Sequence, residues 1–90
     1  MVTAFVLINI ADQKAHDTAE ALLALEGVSE VHIVAGEYDL VAVLRVSDNA
    51  SLATIITKEI VHVKGVDRTR TLFALESASG IDLAQAFGVA

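Results

Sequence analysis

Apolar and polar positions alternate along this chain with two different periods, and the switches between them outline its elements. Residues 3 to 10 are rich in Val, Ile and Phe and predict a strand. Asp12 is a suitable N-cap for a helix over 13 to 25, whose apolar positions Ala15, Ala19, Leu22 and Leu23 recur at i, i+4, i+7 and i+8. Gly27 stops this helix at the usual left-handed exit. Val28 to Ala35 predict a second strand, with Val31 and Ile33 on one face and Glu30 and His32 on the other. Gly36-Glu37-Tyr38 supplies a tight turn into a third strand, Asp39 to Val46, so these two strands form an antiparallel hairpin.

Ser47-Asp48-Asn49 is a cap-and-turn cluster. Leu52, Ile55, Ile56, Glu59 and Val63 then outline a second amphipathic helix ending at Gly65. Val66 to Glu76 predict a fourth strand, Ser77 to Gly80 a loop, and Ile81 to Phe87 a short final helix. The order is βαββαβ with a weak internal repeat: Gly27-Val28 and Gly65-Val66 each end a helix and open a strand. Two fused β-α-β units predict an α+β, ferredoxin-like sandwich, a four-stranded antiparallel sheet with both helices on one face. Residues 1–76 make the domain and residues 77–90 a C-terminal extension.

The strands do not alternate cleanly. Phe5 and Leu7 oppose Ala4, Val6 and Ile8; Val41 and Val43 oppose Leu40, Ala42, Leu44 and Val46; Phe73 and Leu75 oppose Leu72 and Ala74. Both faces are therefore apolar, while two helices cover only one. The other face would expose several hundred Å² of apolar surface, near the upper limit for a soluble monomer. A two-fold dimer through that face is the simplest closed solution, and about 800 Å² buried per partner would make an ordinary stable interface.

Composition narrows the function. Ninety residues leave room for one domain, and 54% hydrophobic content places the chain outside the disordered class. A formal net charge of -6 repels phosphate, so direct nucleic-acid binding is disfavoured. The absence of Cys excludes disulfides, thiolate metal ligands and thiol catalysis. The apolar start lacks the basic flank of a signal peptide, and no apolar run approaches the ~18 to 20 residues that span a bilayer. A cytoplasmic protein without membrane contact, metal or cofactor is the expectation.

Two segments carry candidate chemistry. Ala35-Gly36-Glu37-Tyr38-Asp39 places two carboxylates and a phenol at a hairpin tip, although Gly, Asp and Glu also suit turns for purely local reasons. In Gly65-Val66-Asp67-Arg68-Thr69-Arg70-Thr71, the Thr69 and Thr71 hydroxyls share one strand face and the two guanidiniums the other, a pattern β-propensity alone also explains. Two hydroxyls so aligned can donate to one carboxylate, and Glu37 or Asp39 can accept from an ammonium. Together they would suit a small zwitterion.

In this order on a βαββαβ pattern, Gly27-Val28, Gly36-Glu37-Tyr38-Asp39 and Gly65-Val66 followed by Thr69-Arg70-Thr71 resemble the C-terminal ligand-sensing (RAM) domain of the Lrp/AsnC regulators, over roughly residues 2 to 76. The resemblance implies a module that dimerises through its sheets, associates further into rings, often octamers, and binds free amino acids or similar effectors in clefts between dimers. It implies that Gly36, Glu37, Tyr38 and Asp39 border the effector cleft and that Thr69 and Thr71 face it. Asp39 would take the ammonium; Thr69, Thr71 and backbone amides would take the carboxylate. Full regulators carry an N-terminal helix-turn-helix, whereas Met1 here leads almost directly into the first strand. The expectation is a stand-alone sensing module that reaches DNA only through a full-length Lrp/AsnC-type regulator.

Two other classes compete. A small ferredoxin-like dimeric enzyme would draw on His32, His62, Tyr38 and Asp39, but no Ser-His-Asp spacing, P-loop or metal-ligand cluster accompanies them, and no catalytic residue is assigned. A purely structural protein-interaction adaptor would share the fold and leave the cleft empty. The amino-acid-binding ACT domain fits less well, because Asn9-Ile10-Ala11-Asp12 after the first strand contains no Gly.

Overall fold

The computed structural model describes residues 1–78. Within them the chain runs β1 (Val2–Ile10), α1 (Ala15–Leu23), β2 (Val28–Ile33), β3 (Leu40–Val46), α2 (Asn49–Thr54) and β4 (Val66–Phe73), with a π-helical turn over Ile55–Glu59 and a 3-10 turn over Ile60–His62 after α2. The sheet order is β2-β3-β1-β4 and every pairing is antiparallel. This is the expected α+β, ferredoxin-like arrangement. The short helix expected over Ile81 to Phe87 lies outside the described residues.

The register sorts the strand residues into two faces, because directly paired residues point to the same side. One face carries the rows Val28-Leu44-Ala4-Phe73, Val31-Ala42-Val6-Thr71 and Ile33-Leu40-Ile8-Thr69. Its central residues join Leu22, Leu52, Ile55 and Ile60 in the core. Helix α1 lies against β2 and β3, and α2 against β3 and β1. The other face carries the rows Glu30-Val43-Phe5-Leu72 and His32-Val41-Leu7-Arg70, flanked by Arg45 beside Thr3 at one end and by Arg68 beside Asn9 at the other. No described helix lies over it.

Gly27 and Gly65 show why the internal repeat needs glycine. Both have positive φ, +95° and +98°, which suits a residue without a Cβ. Neither site has room for one: a Cβ at Gly27 would lie 2.5 Å from Ile55 Cδ1, and one at Gly65 would collide with the Thr18 hydroxyl.

Several local expectations change. The first helix spans Ala15–Leu23 rather than 13 to 25, and Lys14 is its N-cap residue, without a side-chain cap bond. Asp12 instead accepts from the Lys14 N–H at 3.0 Å, closing a turn just ahead of the helix. Leu23 points outward at 52% exposure, and Thr18 is buried in its stead at 2%. The buried hydroxyl is satisfied by donating to the Lys64 carbonyl at 3.4 Å.

The second helix is not regular. A continued 3.6-residue period would turn Glu59 inward; the π turn inserts one residue and brings Ile60 into the core, while Glu59 stays part-exposed. Its start is as expected, with the Asp48 carboxylate accepting from the Ser51 N–H at 2.7 Å. That bond holds the Asp48 carboxyl below its ordinary value. The tight turn expected at Gly36-Glu37-Tyr38 is a six-residue connection, 34 to 39, closed by Val34 N–H donating to the Asp39 carbonyl at 2.9 Å. The fourth strand ends at Phe73 rather than Glu76, with one further tie from Ala74 N–H to the Thr3 carbonyl at 3.0 Å.

Candidate functional site

Residues 34 to 39 do not project freely; β1 fastens them. The Asp39 N–H donates to the Ile8 carbonyl at 2.9 Å, and Asp39 Oδ2 accepts from the Ile10 N–H at 2.9 Å. The Asn9 amide donates to the Glu37 carbonyl at 2.8 Å. These bonds take over where the β1–β3 ladder stops at Ile8–Leu40. On the other side of β1, a register shift at Asn9/Ile10 marks the start of β4, and Ala11 N–H donates to the Gly65 carbonyl at 2.8 Å. One strand end thus positions both candidate segments.

Between them lies a groove of about 260 Å³ lined by Asn9, Glu37, Tyr38, Arg68, Thr69 and Arg70. Three of the six residues singled out from the sequence meet here: Glu37, Tyr38 and Thr69. Asp39 sits behind the groove as the brace to Ile10, with lone pairs to spare on its carboxylate. Gly36 lies at the exposed tip, with φ +136° and no neighbour near its Cβ position. Thr71 is half-buried two residues further along, beside Val6 on the helix-covered face, and does not line the groove.

Sequence reasoning passed over Asn9 as a site residue and left Arg68 and Arg70 outside the site. The signal for the arginines was present in their i, i+2 spacing, which puts both on the uncovered face. What the sequence did not show was the partner loop. Among the described residues neither guanidinium has a carboxylate partner; the ion pairs there involve Arg45 and His32.

Those pairs form a second polar cluster at the far edge of the uncovered face. Arg45 Nη1 lies 3.1 Å from Glu30 Oε1 and donates to Ser29 Oγ at 2.7 Å, while His32 Nε2 lies 2.8 Å from Glu30 Oε2. The bond from Arg45, then the one from His32, holds the Glu30 carboxyl below its ordinary value. A larger groove of about 540 Å³ sits at the α1 exit, lined by Glu26, Arg45, Ser47, Ser51, Thr54 and Glu59 among others. None of the expected site residues reaches it. Among the described residues no cluster of three or more His, Asp or Glu is placed to hold a metal ion, and no helix is long and apolar enough to cross a membrane.

The family model for the Lrp/AsnC ligand binding domain matches residues 3–80. The chain belongs to this family. It is 36% identical over 73 residues to an HTH-type transcriptional regulator of Pyrococcus furiosus, a stretch covering 78% of this chain and 49% of that protein. A crystal structure from Thermus thermophilus superimposes with a TM-score of 0.80 at 40% identity, covering 88% of this chain and 99% of the other. A feast or famine regulatory protein of M. tuberculosis, solved in complex with L-methionine, superimposes with a TM-score of 0.74 at 28% identity, covering 91% of this chain and 56% of that one.

This ligand-binding domain spans about half the length of the curated Pyrococcus regulator it matches. Family and matched relatives are transcriptional regulators rather than enzymes, so the small-enzyme alternative falls.

Proposed function

We propose that the chain is a small-molecule-binding and oligomerisation module of transcription-regulator type, with a free amino acid as effector. The observation that carries the reading is the polar groove built by the 34–39 loop and β4, which opens at the end of the uncovered sheet face. A second copy packed on that face buries Phe5, Leu7, Val41 and Leu72 and brings its own loop near the groove. Glu37, Tyr38 and Thr69 contact the effector; Gly36 and Asp39 shape and brace the loop, and Thr71 supports the strand from the covered side. Dimers associate further into a ring. The acidic surface of this domain disfavours direct contact with DNA, and a full-length Lrp/AsnC-type regulator is its proposed partner.

The physical logic is linkage. An effector that touches two copies stabilises the assembly that joins them, and the assembly in turn raises effector affinity by the same factor. Isothermal titration with the twenty amino acids, paired with sedimentation velocity, tests this. The expected result is heat with one or a few of them and a change in assembly size. No heat and no size change with any of the twenty overturns the reading.

A further inference from the structure

We propose that the groove selects an acidic amino acid, aspartate or glutamate, over neutral and apolar ones. The inference rests on the ligand-binding reading above and names the class of effector. The formally charged groups lining the groove are two guanidiniums, Arg68 and Arg70, and one carboxylate, Glu37. Their sum is one positive charge, inside a chain whose formal net charge is -6. Among the lining groups a neutral zwitterion leaves that charge uncompensated; the Asp39 carboxylate lies behind the groove, held by the Ile10 N–H. An acidic amino acid, with two carboxylates and one ammonium, cancels that charge group for group: the ammonium to Glu37, one carboxylate to each arginine.

Spacing permits this pairing. Arg68 and Arg70 stand two residues apart on the same face of β4, about 7 Å along the strand. Aspartate and glutamate hold their two carboxylates closer together than that, a gap the long arginine side chains can close by converging on the ligand. Guanidinium also binds carboxylate in bidentate geometry, which fixes orientation as well as charge. Asn9 and Thr69 add neutral polar groups, and the Tyr38 ring supplies the one sizeable apolar surface among the lining residues. A leucine or methionine side chain therefore finds little apolar wall to lie against, and a lysine side chain would meet two like charges.

Titration calorimetry on the full chain compares L-aspartate and L-glutamate with L-asparagine, L-glutamine, L-methionine and L-leucine. Expected is an acidic amino acid bound at least about tenfold tighter than its own amide, the usual consequence of a charge-assisted hydrogen bond. Arg68→Gln and Arg70→Gln each lower that affinity by about tenfold or more and narrow the preference over the amide. Lys58→Gln, an exposed change in the π-helical turn that removes the same charge away from the groove, leaves both unchanged. Thermal melts of all three variants that match the parent show that folding is intact. An amide or an apolar amino acid binding as tightly as the acid overturns this inference while the ligand-binding reading stands. So does acid binding that survives both arginine changes. Silence with all twenty amino acids overturns the reading itself.

Discussion

On the helix-covered face of the sheet, Ala4, Val6, Ile8, Leu40, Ala42 and Leu44 have no solvent exposure at all. On the opposite face Phe5 keeps 37% and Leu72 51%, and among the described residues of its two central rows only Val43 is buried, at 5%. Both faces are apolar along the same strands, so the difference does not come from strand composition. It comes from what lies above them: two helices on one side, and on the other a rim of Glu30, His32, Arg45, Arg68 and Arg70 around an open centre. The covered face decides whether the chain folds. The uncovered face takes no part in that core; under the proposed function it is the surface left for a second copy, and its charged rim borders the candidate groove.

The largest effect should come from the covered face. Leu44→Ala leaves a cavity in the core cluster, beside Ala4 and Val28, and should cost about 2–5 kcal/mol in a denaturant titration. Gly65→Ala comes next, at about 1–3 kcal/mol, since it forces a Cβ into positive φ and against Thr18. Gly36→Ala shares only the backbone part of that strain and should lie well below it, a direct check that collision and not φ alone governs Gly65.

Changes on the uncovered face should read out in assembly. Leu72→Glu should turn the proposed dimer into monomer by sedimentation velocity while moving the monomer's own stability by no more than about 0.5 kcal/mol. If Leu72→Glu unfolds the chain as Leu44→Ala does, the division between the two faces is wrong.

The smallest effect is a pH dependence. Glu30 and Asp48 both have carboxyl groups held below the ordinary value in the folded chain. The stability they contribute is present above the unfolded carboxylate value, near 4, and drains away as pH falls through their lower folded values. Thermal melts through that acid range should show the loss. Glu30→Gln should flatten its share, and because Glu30 stands on the uncovered rim, the flattening should accompany a changed dimer affinity.

Much of this division was legible in the sequence because it depends on period-two alternation, which survives any detail of packing. Phe5 opposite Val6 and Val41 opposite Ala42 are readable from one strand at a time. The helices were harder. Leu23 outranks Thr18 on any hydrophobic scale, yet Thr18 goes inside because the Lys64 carbonyl, 46 positions away, satisfies its hydroxyl. No 3.6-residue pattern announces the π turn that carries Ile60 inward past Glu59.

The groove was half legible. Glu37 and Tyr38 stood out as chemistry at a turn, and Thr69 as one of an aligned pair. Arg68 and Arg70 went unassigned because their neighbours are chosen by the β1–β4 register, with its shift at Asn9/Ile10, and a register across distant strands is not written in either strand alone.

The three bonds that bind the 34–39 loop to Ile8, Asn9 and Ile10 have a kinetic consequence. The loop is already fastened to β1, so under the proposed function capture needs no slow closing of this loop and little chain ordering upon contact. Uptake should then rise linearly with concentration in stopped-flow mixing, without a plateau, and differences among related compounds should appear almost wholly in how long each one stays.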